Sequence, residues 1–340
     1  MVRIILISTA IAVAVYFGIA LVLIFTDAPG GVEAGPDRGL DFDSSIRADY
    51  SGLPNLTPYT ARDGTELGYR FYASATPTDR LVILVHGSAW HGMQFHGMAR
   101  ALAETGIADV VAPDMRGHGA SPARRGDIDH IGQLEEDMAD LIDHLKKRKP
   151  DARIVLGGHS SGGGFVVRFA GGEYRDKVDG FALLAPFLKY NAPTTRANSG
   201  GWANPAVRRI IGLTMLNSVG VTALNHLPVI RFAMPKAVLD GPYGKTATTI
   251  YSYRMNAGFA PRSDYEADLA RIDRPLLVIA GAEDEAFFAD RYEAVISAET
   301  KTGTYKVLPG VNHMGVVTEK AAWDTLAGWL EKSFPAKSRE

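Results

Sequence analysis

The chain is predicted to fold as an α/β protein with a mainly parallel, doubly wound sheet, preceded by one transmembrane helix, on three observations. Continuous β-branched runs of strand length alternate with helical patterns along most of the 340 residues, as expected of strands covered on both faces. One such run, Arg153-Ile154-Val155-Leu156, leads directly into Gly157-Gly158-His159-Ser160-Ser161-Gly162 and then a helix-compatible segment. Residues 4–25 contain no charge and are mostly Ile, Val, Leu, Ala and Phe.

Taken in order, residues 1–26 read as an uncleaved signal anchor. As a helix the uncharged run would extend about 33 Å, enough for a hydrocarbon core of about 30 Å. A cleaved signal would have a shorter apolar region ending in a small-x-small site, whereas the nearest candidate, Thr26-Asp27-Ala28, is followed by Pro29. Arg3 precedes the run, and Asp27, Glu33, Asp37, Asp41 and Asp43 outnumber Arg38 after it. The positive-inside rule then puts the remainder on the extracytoplasmic side. Residues 27–55, rich in Gly, Pro, Asp and Ser, read as a tether.

A strand pair follows around Asp63-Gly64, its second strand over residues 67–72. Strands are expected at 81–85, 109–112, 153–157 and 178–184, with helices at 95–105 and 131–149. The alternation then stops, and no buried-strand pattern appears between Phe187 and about Arg262. It resumes with a strand at 275–280, a helix at 290–298, a strand at 304–308 and a final helix at 319–333. Residues 56–187 and 263–337 are thus expected to form one core, interrupted by a cap at 188–262. An insertion at the carboxyl edge of such a sheet lies over the ligand crevice.

Bulk properties narrow the function. Lys and Arg number 36 against 38 Asp and Glu, a net charge of −2, which argues against nucleic acid as a partner. Without cysteine there is no disulfide, thiolate metal site, cysteine nucleophile or acylable thiol.

Gly-x-Ser-x-Gly between a strand and a helix holds a serine hydroxyl out at the carboxyl end of a sheet. Serine is a weak nucleophile unless a histidine takes its proton and an acid orients that histidine. In this context the acid precedes the histidine in the chain, each in a loop after a strand. Asp284, in Gly281-Ala282-Glu283-Asp284-Glu285, is the preferred acid, with Glu283 and Glu285 as rivals. His313, in Val311-Asn312-His313-Met314, is the base candidate. His159 should point away along the turn, and His118 should shape a loop. Backbone N–H groups of Ser161 and of Ser88, in His86-Gly87-Ser88-Ala89-Trp90, are the candidate oxyanion donors.

These motifs resemble those of the α/β-hydrolase superfamily, within it the monoacylglycerol lipase, lysophospholipase and serine aminopeptidase-like group. The resemblance rests on His86-Gly87, the Asp114-Met115-Arg116-Gly117-His118-Gly119-Ala120-Ser121 segment, the Ser160 pentapeptide, the Gly281–Asp284 loop and Asn312-His313, and covers about residues 59–333. It implies the hydrolase fold, Ser160/Asp284/His313 as a triad, and acyl transfer to water without a cofactor. One departure is Ala89-Trp90-His91 after Ser88, where a Gly-x-His sequence is expected, so Trp90 should narrow the mouth.

Within the cap, Ile210, Ile211, Leu213, Met215, Leu216, Val219, Val221, Leu224, Leu227, Val229, Ile230, Phe232 and Met234 are apolar around most of a helix. They suggest an acyl-binding tunnel or a face touching the membrane. The expectation is a membrane-anchored hydrolase of lipidic carboxylic esters, of lysophospholipid or monoacylglycerol type. The alternatives are a serine aminopeptidase or small-ester esterase of the same fold, or a non-catalytic binding protein on this scaffold.

Overall fold

Strand β5 (Arg153–His159) lies at the middle of an eight-stranded sheet whose carboxyl edge carries Ser160. The structure is a computed structural model, and it describes residues 2–31, 39–120 and 123–336. Glu33, Asp37 and Arg38, used for membrane orientation, and Ser121 of the Asp114–Ser121 segment lie outside the described residues.

Before β5 come helix α1 (Val2–Phe25), the short helix α2 (Asp43–Ile46), strands β1 (Thr57–Thr60), β2 (Glu66–Tyr72) and β3 (Arg80–Val85), helix α3 (His96–Glu104), strand β4 (Asp109–Asp114) and helix α4 (Gln133–Arg148). After it follow α5 (Ser161–Ala170) and β6 (Gly180–Leu184). The inserted segment carries β7 (Ala203–Pro205), α6 (Val207–Ser218), β8 (Pro228–Phe232), α7 (Lys236–Leu239), β9 (Ile250–Ser252), α8 (Tyr253–Gly258) and α9 (Tyr265–Ala270). The core closes with β10 (Leu276–Gly281), α10 (Tyr292–Glu299), β11 (Gly303–Leu308), α11 (Gly315–Thr318) and α12 (Lys320–Ser333).

The sheet order is β1-β2-β4-β3-β5-β6-β10-β11. β1 and β2 pair antiparallel, β2 runs antiparallel to β4, and all later pairs are parallel. Leu81–Val85 and Leu276–Ala280 are buried throughout, which explains why these strands are continuous apolar runs rather than alternating ones. β11 forms the edge and is partly exposed, with Lys306 on it, a charge that discourages edge-to-edge pairing.

Two features of the segment before the core differ from a free tether. Leu40 and Phe42 are buried, and the Phe42 ring sits 5.4 Å from that of Trp202 in the insertion. Two isolated apolar residues in a Gly/Pro-rich stretch carry no period, so their burial has no local signature.

The insertion also differs from expectation. It contains a three-stranded antiparallel sheet in the order β7-β8-β9, with a register shift between Pro228 and Ile230. These strands are three to five residues long and two contain proline, too short for an alternating pattern to emerge. The apolar set at 207–234 is therefore not one helix: α6 ends at Ser218, and Pro228–Phe232 is strand.

α1 is the one helix among the described residues that is long and apolar enough to cross a membrane, a test that a signal sequence would also pass. Its last turns pack antiparallel on α6. Ala20 and Ile24 are fully buried with Leu213, Leu216, Val229 and Tyr253, each large aliphatic contributing about 1.5–3 kcal/mol. Close approach needs Gly212, where a Cβ would lie 2.5 Å from the Ala20 carbonyl oxygen. Tyr16 donates to the Met215 carbonyl at 2.7 Å, and Arg208 and Arg209 donate to the carbonyls of Thr26 and Ile24 at 2.8 and 3.0 Å, satisfying orphan acceptors at the helix end.

Candidate active site

Ser160 sits between β5 and α5 with φ 54° and ψ −119°, a conformation costing about 1–3 kcal/mol that persists only where surroundings enforce it. Its N–H donates to the Leu184 carbonyl at 2.9 Å, and its own carbonyl accepts from Gly164 and Phe187 at 3.0 and 2.9 Å. The flanking glycines are sterically required. A Cβ on Gly158 would be 2.3 Å from the Gly162 carbonyl oxygen, and one on Gly162 would be 2.3 Å from that of Val85.

Asp284, past β10, is buried. Its Oδ1 accepts from the backbone of Ala286 and Phe287 at 2.8 and 2.9 Å, and its Oδ2 lies 2.9 Å from His313 Nδ1. An acid whose other oxygen is saturated by amides holds the ring in the Nδ1–H tautomer and leaves Nε2 bare. Glu285 instead accepts from the His313 and Asp41 backbone amides, both at 3.0 Å, while Glu283 is exposed. Asp284 and His313 are thus brought together. Ser160 makes no hydrogen bond to His313 among the described residues. Ser160 nonetheless follows His159, whose ring centre is 4.6 Å from that of His313.

Ser88, Ser160 and Ser161 line one cavity of about 60 Å³, walled by Phe187, Trp202, Phe232, Tyr251, Phe259 and Phe287 among others. Neither the Ser88 nor the Ser161 amide donates to a protein acceptor among the described residues. A larger open groove of about 470 Å³ lies at β1 and α4, away from the serine, and its Arg62 and Asp140 are paired with each other. Among the described residues no three His, Asp or Glu converge to hold a metal ion.

Trp90 does not narrow this cavity. It is buried and stacks on His91 with ring centres 5.2 Å apart. Trp202 lines the cavity instead, its Nε1 donating to Ser88 Oγ at 3.0 Å.

Other residues escaped the sequence reading. Gln94 accepts the Gly87 N–H at 2.8 Å and lies 2.7 Å from His159 Nδ1, while His159 Nε2 donates to the His313 carbonyl at 3.0 Å. His159 therefore ties the serine turn to the loop that carries His313. His118, expected to shape a loop, lies 2.6 Å from the Tyr251 hydroxyl. Burial holds His86 and His159 well below the usual histidine range, His118 at about 4 and His91 at about 3.

The parallel sheet, the strained turn and the loops beyond β10 and β11 define an α/β-hydrolase. The soluble variant of monoglyceride lipase from Saccharomyces cerevisiae shares this fold with a TM-score of 0.63 at 17% identity, over 84% of this chain and 98% of that one. A membrane phospholipase A aligns with a TM-score of 0.58 at 17% identity, over 98% of both chains. The family described as serine aminopeptidase, S33, matches residues 76–320, and the chain belongs to it. Among curated proteins, the monoacylglycerol lipase of Mycolicibacterium smegmatis is 24% identical over 297 residues, 84% of this chain and 98% of the relative.

Proposed function

We propose that the protein is a membrane-anchored serine hydrolase that cleaves carboxylic esters through an acyl-enzyme. The supporting observation is that a strained serine and two uncommitted amides line one cavity, while the hydrogen-bonded Asp284–His313 pair packs against His159, the residue before that serine. In this reading residues 1–26 are the anchor, 27–55 the connection, 56–187 and 263–337 the catalytic core and 188–262 the cap. The core stands on the extracytoplasmic side.

The Ser160 hydroxyl proton passes to His313 Nε2 as Oγ bonds the acyl carbon. The carbonyl electrons collect on oxygen, facing the Ser88 and Ser161 amides. As the C–O bond to the alcohol breaks, His313 returns the proton to the leaving oxygen. Water then repeats the sequence to release the acid and free Ser160. Asp284 keeps its charge and steadies the imidazolium. A fluorophosphonate probe should label the protein, and the label should vanish in Ser160→Ala; a labelled alanine variant would refute the assignment.

Lipidic esters of lysophospholipid or monoacylglycerol type are the proposed substrates, supported by the monoacylglycerol lipase relative and the aromatic lining of the cavity. One observation favours a second reading, a short-acyl esterase. The cavity, about 60 Å³, is small for a long acyl chain, which enters only if side chains of its wall move. For lipidic substrates, kcat/KM measured from acetyl to palmitoyl esters should rise with length, each buried methylene adding about 0.8 kcal/mol. A steady fall beyond short chains would establish the short-acyl reading.

An aminopeptidase fits less well. None of the residues lining the cavity is charged, so a free α-amine would find no counter-charge. Asp240 and Asp268 are paired with Lys236 and Arg262, Asp264 caps α9, and Glu266 is exposed. Faster cleavage of aminoacyl amides than of any ester would overturn this preference.

The anchor carries its own expected outcome. Full-length protein should remain with membranes through a high-salt wash. Removing residues 1–28 should uncover Leu213, Leu216 and Val229, lower the melting temperature and require detergent for solubility. A mature protein whose N-terminus begins near Pro29 would refute the anchor.

A further inference from the structure

The residue after Ser88 is held at both of its backbone groups by the insertion. Ala89 has φ 64° and is completely buried. Its N–H donates to the Tyr251 hydroxyl at 2.8 Å, and its carbonyl accepts from the Thr248 N–H at 2.9 Å. Both partners flank or belong to β9, more than 150 residues along the chain.

The proton arrangement at Tyr251 follows from what each atom can do. His118 Nδ1 lies 3.0 Å from the Arg116 carbonyl, which can only accept, so that nitrogen carries the proton. His118 Nε2 is then bare and accepts from the Tyr251 hydroxyl 2.6 Å away. The Tyr251 oxygen, its proton committed, receives the Ala89 N–H. Burial keeps His118 neutral and so preserves this direction. Asp114, Arg116, His86 and His91 are the other titratable groups about this histidine.

Consider the three successive peptide planes of the loop. Gln94 holds the N–H of Gly87, and Tyr251 holds that of Ala89. The plane between them carries the Ser88 N–H, which has no protein acceptor among the described residues, and the Gly87 carbonyl, which accepts from His86 Nδ1 at 2.8 Å. A peptide plane is rigid but its flanking φ and ψ are soft, so the aim of the middle plane is limited by the holds on either side together with the His86 hydrogen bond to its own carbonyl.

We propose that Tyr251 is a positioning residue: its hydroxyl, oriented by His118, fixes the peptide that follows Ser88 and thereby aims the Ser88 amide at the developing oxyanion. The oxyanion site is then completed from the cap and exists in full only when β9 is seated on the core. This inference rests on the serine-hydrolase reading above.

Tyr251→Phe keeps the ring against Phe232, His118 and Phe259 and removes only the hydroxyl. Deleting an oxyanion donor costs about 10²–10³ in turnover, and loosening one costs less, so kcat should fall about 10- to 100-fold with KM nearly unchanged. The readout specific to an oxyanion is the inhibition constant of a trifluoromethyl ketone, which forms a charged hemiketal with the serine. It should weaken by about the same factor as kcat/KM. His118→Leu should share the defect, and His118→Gln, whose side-chain oxygen can accept from Tyr251, should restore part of the activity.

Unchanged ketone affinity in folded Tyr251→Phe, or a loss confined to KM, overturns the inference while leaving the hydrolase reading intact. If Tyr251→Phe does not fold, the His118 pair decides: equal activity of the Leu and Gln variants overturns it. Wild-type protein that neither cleaves esters nor reacts with a fluorophosphonate removes both readings together.

Discussion

Replacing Ser160 with alanine is expected to lower ester turnover by about five to six orders of magnitude without unfolding the protein, and His313→Ala by a similar factor, since the two act as one unit. The fold should survive because the backbone strain at Ser160 is imposed by the Leu184, Gly164 and Phe187 hydrogen bonds, none of which uses the side chain. Asp284→Asn should cost about 10⁴, through loss of the correct ring tautomer. Glu285→Gln should cost far less, because its Oε2 supports the His313 backbone rather than the ring, and Glu283→Gln should be silent. Steady-state kinetics on purified variants, with circular dichroism as the folding control, checks the series. Inactivation by Glu283→Gln or Glu285→Gln with a working Asp284→Asn would mean that the acid is misassigned.

The second large effect is acid lability. His86, His91, His118 and His159 are all buried, and burial depresses each of their pKa values, to about 3 for His91 and about 4 for His118. The unfolded chain protonates these rings near pH 6.5. Below that pH it binds protons that the folded state refuses, so stability is lost as pH falls from 6.5 toward 4. Each such histidine changes the unfolding free energy by about 1.4 kcal/mol per pH unit, and four approach about 5 kcal/mol per unit at the centre of the window. Asp114, Asp137 and Asp268, whose pKa values burial raises, take up protons in the folded state and oppose this. Against a typical total of 5–15 kcal/mol, unfolding is expected within one to two units below pH 6. Urea midpoints measured between pH 7 and 4.5 test it, and a flat profile would contradict it.

The parts of the molecule that were legible in the sequence are those whose physics is local. β3, β5, β6 and β10 announce themselves because strands buried on both faces must be apolar at every position. The serine turn is equally visible, since Gly158 and Gly162 have no room for a Cβ. Asp284 and His313 could be placed as candidates because each follows a strand by a short loop.

Partner choice was not legible. Ser88 meets Trp202 across 114 positions, and Ala89 meets Tyr251 across 162. No spacing in the sequence reveals that an indole or a phenol will return to that loop. Trp90 is expected at the mouth because it is adjacent in sequence, whereas the indole that lines the cavity is Trp202, from the inserted segment. The short strands β7, β8 and β9 were missed for a related reason: their stability derives from packing over the core and from α1, not from their own composition.

Antiparallel pairing of α1 with α6 would limit how deeply a bilayer could take up α1. Only residues 2–15 of the apolar helix are unaccompanied, and about 14 residues rise about 21 Å, well short of a hydrocarbon thickness near 30 Å. A bilayer crossed by this helix must therefore thin toward it or admit part of the helix pair. The chain from Ile210 to Asn225 has no charged residue, and Ile211, Val219 and Val221 are exposed along it. Arg208 and Arg209 stand at the opposite end of α6, beside Thr26 and Ile24, at the height where lipid phosphates would meet them. Hydrophobic mismatch would then set how far the cap, and with it the mouth of the cavity, stands from the membrane surface.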